Sequence, residues 1–150
     1  MTKRAAFHTE LKMGTGEVQI ETATVVGAIT GSGDAHVTIT CTGMAGTPLT
    51  LHVPVVDLDT NAVATAKMRE YLLLTAAVTN LFWVTGTGAD IVLTRKIPTA
   101  TIANLNIATT NGSCTGLTPV ANSVDTHAGE AAWTEIAQVV KVGGPGLSLD

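Results

Sequence analysis

Aromatic and charged residues are scarce in this sequence. Only 3% of its 150 residues are Phe, Trp or Tyr and 13% are Asp, Glu, Lys or Arg, whereas 45% are hydrophobic. A disordered chain is poor in apolar residues, so this hydrophobic share argues against disorder. The length suits one domain with a buried core. The chain as a whole is rich in Thr, Ala, Val and Gly, which favours strands whose outer faces carry hydroxyl groups. Such a neutral surface is typical of assembled structural proteins.

Basic clusters and long apolar runs are also missing. The only adjacent basic residues are Lys3-Arg4 and Arg95-Lys96, and the net charge is -4. This pattern lacks the positive patch that nucleic acid binding requires. No apolar segment follows the basic start, and no apolar run approaches the roughly eighteen residues of a membrane span. We therefore expect neither nucleic acid nor a membrane as a partner, and a product made in the cytoplasm.

Two cysteines, Cys41 and Cys114, are the whole thiol content of the chain. They could pair, but without a secretory signal the reduced and buried state is the expected one. Cys41 lies on the inward face of a predicted strand, where a thiol is protonated and inert.

Hydrophobic periodicity predicts an α+β fold, mainly antiparallel sheet with one α-helix packed on one face. The predicted strands span 36–42, 49–55, 81–84, 91–95 and 103–108, and 18–27 is either the first strand or its lead-in. Pro54 must lie at an edge or near the end of its strand, since proline donates no backbone hydrogen bond. The predicted helix spans about 60–79, and the side chains expected to face the sheet are Ala64, Met68, Tyr71, Leu72, Thr75 and Val78.

No motif in the sequence predicts catalysis, a cofactor or a metal. The Gly-x-Gly pairs lack the continuation of a phosphate-binding loop. His36 and His52 are expected on the solvent-facing side of two neighbouring strands, where two imidazoles without a third ligand make a poor zinc site. Asp57 and Asp59 stand where helix-capping residues belong. We therefore predict that the protein is not an enzyme.

Interface residues are predicted from the aromatic side chains. Alternation in the strand 81–84 places one of Phe82 and Trp83 inward and the other outward, so Trp83 is a candidate contact residue. A second candidate is the apolar segment of Trp133, Ile136, Val139 and Val140, which must bury itself against something.

Two resemblances follow from short motifs. Residues 18–129 resemble a β-rich module of tailed-phage and prophage structural proteins. The motifs are Ala23-Thr24-Val25-Val26-Gly27, Val37 through Gly43, Thr47-Pro48-Leu49-Thr50, the helix from Val63-Ala64 to Leu72, Val92-Leu93-Thr94-Arg95-Lys96, Asn104-Leu105-Asn106-Ile107 and Cys114-Thr115-Gly116. Where that family carries an Asn-Asp pair, this sequence has Ile102-Ala103-Asn104.

The ends of the chain resemble the beginning of a siphophage tail tube (major tail) protein. The matching segments are Phe7-His8-Thr9-Glu10-Leu11-Lys12-Met13-Gly14, Trp133-Thr134-Glu135-Ile136-Ala137-Gln138-Val139-Val140 and Gly144-Pro145-Gly146-Leu147-Ser148-Leu149-Asp150. In that family the two pieces are nearly continuous. The resemblance therefore implies an arm at 1–17, an inserted module at 18–129 and a second arm at 130–150. Because the long β-sandwich that follows in the family is missing here, it also implies a fragment or a truncated prophage gene product.

These resemblances imply a phage or prophage virion structural protein located in the tail, which displays an accessory module. They imply partners as well: further copies of the chain, in a homo-oligomer such as a ring, and other virion proteins. The alternative hypothesis is a decoration or adhesin-like module that binds a glycan or a host surface through loops near 85–90 and 109–116.

Overall fold

The computed structural model describes residues 11–136 of the chain. It has an α+β fold with two antiparallel sheets and one main helix, which confirms the predicted fold class. The elements are β1 (Leu11–Gly14), β2 (Ile20–Thr24), β3 (Gly33–Thr40), β4 (Leu49–Val55), α1 (Asn61–Leu73), α2 (Ala76–Thr79), β5 (Phe82–Thr85), β6 (Asp90–Arg95), β7 (Asn106–Thr110), β8 (Val124–His127) and β9 (Trp133–Ile136).

The two larger sheets share one hydrophobic core. One sheet has the strand order β5-β6-β2-β8 and the other the order β4-β3-β7, with antiparallel pairing throughout. Val37, Ile39 and Val53 from the three-stranded sheet are fully buried, as are Ile91 and Leu93 from the four-stranded sheet. All five belong to the same cluster of buried side chains. Burial of this shared apolar surface is the main force that holds the sheets together.

Strands β3 and β4 form the hairpin that alternation predicts. Buried and less buried residues alternate along β3, and Val53 and Val55 are buried in β4. Pro54 lies in β4 at an edge of its sheet, as proline requires. The observed β3 starts three residues before the predicted strand and ends at Thr40, although Cys41 is still buried.

The predicted helix 60–79 is wrong in its length, because α1 ends at Leu73 and a separate short helix, α2, follows. The Thr60 side chain caps the start by accepting a hydrogen bond from the Val63 amide at 3.3 Å. The helix is interrupted at Thr75, whose backbone is extended. The Thr75 hydroxyl donates to the Tyr71 carbonyl at 2.8 Å and so satisfies this group at the end of α1.

Helix α1 contacts β4 of one sheet and β5 and β6 of the other. Ala64, Met68 and Leu72, spaced four residues apart, are fully buried. The inward placement predicted for Tyr71 is wrong: this side chain is 38% exposed, because it lies beside the narrow buried stripe.

Two further strands differ from the prediction. The strand predicted at 103–108 is observed at 106–110, because Leu105 closes a turn by donating its amide hydrogen to the Ile102 carbonyl at 3.1 Å. Strand β8 was not predicted. It pairs with β2 at the sheet edge, and its four residues are all exposed, so no alternation marks it.

The ends of the described chain form a separate two-stranded ribbon, in which β1 pairs antiparallel with β9. Glu17 and Glu130 continue this pairing with two reciprocal backbone hydrogen bonds of 2.9 Å. We call residues 11–17 and 130–136 the stem. Neither helix of the described residues has the length and apolar character needed to cross a membrane.

Candidate functional site

A polar cleft of about 450 Å³ opens between the two sheets, where β2 and β8 approach the loop that precedes β7. Most of the residues that line it are polar, and none is Lys or Arg. Its polar residues are Gln19, Glu21, Thr40, Asn104, Asn106, Asn122, Ser123 and Asp125. The cleft thus brings several polar side chains together in a concave space of small-molecule size.

Glu21 is the buried carboxylate of the polar cleft, with 3% of its surface exposed. The Ser123 hydroxyl lies 2.5 Å from Glu21 Oε1 and accepts a hydrogen bond from the Ile107 amide at 2.8 Å. Burial raises the pKa of Glu21 above its usual value, and the negative charge of Asp125 raises it further, while the Ser123 hydrogen bond lowers it. Glu21 Oε2 makes no hydrogen bond with any residue from 11 to 136.

Gln19 fixes the loop on the opposite wall of the polar cleft. Its side-chain Oε1 accepts from the Ile102 amide at 2.8 Å, and its Nε2 donates to the Ile102 carbonyl at 3.3 Å. This side chain, which is 1% exposed, thus satisfies both backbone groups of Ile102 as a neighbouring strand would. Its Nε2 also lies 3.5 Å from the Asp125 carboxylate.

Two asparagines near β7 have defined orientations. Asn104 Oδ1 accepts from both the amide and the hydroxyl of Thr42 at 3.0 Å, so Asn104 Nδ2 is left as a donor. Asn106 Oδ1 accepts from the Ser123 amide at 2.8 Å, and its Nδ2 donates to the Ala121 carbonyl at 2.9 Å. Asn104 therefore keeps a donor for another molecule, whereas both ends of the Asn106 amide are used.

Sequence reasoning missed this cleft, although a signal was present. Gln19 and Glu21 occupy alternate positions that continue through Ala23 and Val25, and all four residues are buried. Two polar residues that extend an inward apolar series indicate a buried polar site. The prediction of a strand or lead-in at 18–27 rested on the apolar residues of this segment alone.

The structure places Phe82 and Trp83 on opposite faces of β5, as the alternation predicts. Phe82 is 1% exposed and Trp83 is 60% exposed. The Lys96 ammonium lies 4.2 Å from the centre of the Trp83 ring, so a cation already occupies one face of the indole. Trp83 is on an edge strand and available for contact, and its role as an interface residue stays a prediction.

The second predicted interface segment begins in the stem. Trp133 is half exposed, and Ile136 is the last residue of β9. Val139 and Val140 lie outside the described residues. The structure brings neither Trp83 nor Trp133 into the polar cleft.

Histidines and cysteines add no site to the described part of the chain. His36 and His52 face each other across β3 and β4 with ring centres 4.1 Å apart, which confirms their predicted approach. Within residues 11–136, no three His, Cys, Asp or Glu side chains converge to hold a metal ion. Cys41 and Cys114 are both buried and unbridged, and burial raises the pKa of each thiol.

Comparisons with known proteins found no match for this chain among protein-family models, curated proteins or solved structures.

Proposed function

We propose that this chain is a virion structural protein that resembles a phage tail tube subunit and displays residues 18–129 as an accessory module. It acts by assembly and not by catalytic turnover. Its partners are further copies of itself and other virion proteins, and its place is the tail.

The observation that carries this proposal is the pairing of the first and last described strands. Strands β1 and β9 bond to each other and to neither large sheet, and Glu17 and Glu130 close the ribbon next to the module. When the first and last strands of a module lie side by side, the module can be inserted at a turn of a host sheet with little strain on the host.

The stem also leaves strand edges for assembly. In the described residues, β1 and β9 are each bonded on one side only. Unpaired edges are sites where further strands add. The exposed indole of Trp133 stands beside such an edge, which supports its predicted place in an interface.

The test is sedimentation velocity and negative-stain microscopy of the full chain over a range of concentrations. We expect oligomers, with rings or tubes, and we expect Trp133→Ser to weaken association by about tenfold or more. Tyr71→Ser on α1 is the matched control, since Tyr71 is similarly exposed and lies away from the stem. A monomer at every concentration, and absence of the chain from purified particles, would count against the proposal.

A second candidate function is a binding module for a glycan or a host surface, which the exposed Trp83 supports. If this second candidate is right, a glycan array shows specific binding that Trp83→Ala removes. An array without signal, or a signal that Trp83→Ala leaves intact, would reject a site at this indole.

A further inference from the structure

We propose that the polar cleft is a binding site for a neutral saccharide unit. This goes beyond assembly and places the ligand between the two sheets, away from Trp83. The cleft of about 450 Å³ falls within the range of small-molecule sites.

The charges of the cleft decide the class of ligand. Glu21 and Asp125 are facing residues on paired strands, and no Lys or Arg lines the cleft. Two carboxylates without a cation repel phosphates, sulfates and acidic sugars. A neutral molecule with hydroxyl groups carries donors for these carboxylates and no charge that must be compensated.

The free hydrogen-bonding groups of the cleft are two acceptors and one donor. Glu21 Oε2 and Asp125 Oδ1 are acceptors with no partner in the described residues. Asn104 Nδ2 is a donor, because the bonds from Thr42 fix the amide with its oxygen turned away. A sugar hydroxyl both donates and accepts, so adjacent hydroxyls can bond to a carboxylate and an amide at once.

The site is held in place before any ligand arrives. The Ser123 hydroxyl positions Glu21, and the Gln19 side chain holds the Ile102 backbone with two hydrogen bonds. Groups fixed in this way lose little freedom on binding, which improves affinity.

The experiment is a titration of the full ¹⁵N-labelled chain with glucose, galactose, mannose, N-acetylglucosamine and cellobiose, each followed by amide chemical shifts. We expect at least one saccharide to shift the amide signals of Glu21, Asn104, Ser123 and Asp125, with no change around Trp83.

Asn104→Asp is the sharpest variant. An aspartate at this position still accepts the two hydrogen bonds from Thr42 but replaces the free donor with a negative oxygen. We expect its Kd for the saccharide to rise by about tenfold or more. Asp125→Asn should also weaken binding and leaves the fold intact, since Asp125 is exposed. Trp83→Ala is the control and should bind as the unchanged protein does.

Three results would overturn the proposal. The first is that no saccharide of the panel shifts the cleft signals. The second is that Trp83→Ala, and not Asn104→Asp, abolishes binding. The third is that calcium chloride shifts the Glu21 and Asp125 signals while the saccharides do not, which would make the cleft a cation site. None of these results bears on assembly, which sedimentation tests separately.

Discussion

The indole of Trp133 lies directly against the backbone of Gly14 on the facing strand of the stem. Gly14 and Trp133 are register partners, and a Cβ atom added to Gly14 would come within 2.3 Å of Trp133 Nε1. An aromatic ring that covers a cross-strand glycine shields its backbone and sets the register of the pair. The contact also explains why Trp133 is only half exposed although it lies outside both large sheets.

Gly14→Ala should therefore expel the Trp133 ring into solvent. In a Trp83→Phe background, where Trp133 is the only tryptophan, we expect its fluorescence emission to shift to longer wavelength. Because the stem is separate from the core, the loss in unfolding free energy should stay within about 1 kcal/mol, the range of a cross-strand pair. Unchanged emission would show that the indole does not rest on Gly14.

Glu21 should make stability depend on pH. Its raised pKa means that the folded protein keeps a proton which the unfolded chain has already lost. Between the usual Glu pKa and the raised value, the folded state binds more protons, so the free energy of unfolding falls as pH rises. Glu21→Gln cannot titrate, and we expect the wild type to lose stability relative to this variant across that interval. Urea unfolding at a series of pH values measures the difference, and a constant difference would contradict the account.

Asp59 serves as a control for this experiment, because its effect on stability changes with pH in the opposite direction. A hydrogen bond from Lys67, with Nζ 2.5 Å from Asp59 Oδ2, lowers the pKa of Asp59, as does the Val56 amide. Its contribution to stability is present above the usual Asp pKa and is lost as pH falls through the lowered value. Relative to Asp59→Asn, the wild type should therefore gain stability as pH rises.

Thr109→Val should stabilise the protein. Thr109 is 1% exposed, and its hydroxyl has no hydrogen-bond partner among residues 11–136. Replacing an unpaired buried hydroxyl with a methyl group of similar shape removes its desolvation cost, which is about 1 kcal/mol or more. Denaturant unfolding should show a higher midpoint with an unchanged slope. A lower midpoint would mean that the hydroxyl has a partner in solution.

The neighbours Phe82 and Trp83 should respond very differently to truncation. Phe82→Ala removes a fully buried ring between the sheet and the helices, and it should cost about 3–5 kcal/mol. Trp83→Ala removes an exposed ring and should cost less than about 1 kcal/mol. Thermal unfolding of both variants measures this contrast. Equal losses would place both rings in the core.

The sequence predicted the elements whose two faces differ in polarity. Alternation identified β3 and β4, and the segment around Met68 and Leu72 was long enough to be recognised as a helix. The break at Thr75 was not predictable from composition, because no Gly or Pro lies between α1 and α2 and only the extended backbone of Thr75 separates them. Strand β8 has no buried face, so periodicity carries no information about it.

The polar cleft depends on long-range pairing and was therefore missed. Glu21 and Ser123 are 102 positions apart in the sequence, and Asn106 joins them only once β7 lies beside the segment before β8. The sequence of β2 alone shows that Glu21 is polar at a position where an apolar residue is expected. It does not show which hydroxyl or amide group elsewhere in the chain will bond to Glu21.

The pairing of β1 with β9 beneath a closed module can be tested with a disulfide trap. Lys12 and Glu135 are facing residues of β1 and β9, a placement that brings two cysteines within bonding distance. We expect Lys12→Cys with Glu135→Cys to form a disulfide within one chain on mild oxidation, and Lys12→Cys with Thr85→Cys to remain reduced. If the first pair stays reduced, or links only different chains, β1 and β9 do not pair within one molecule and the stem does not exist in solution.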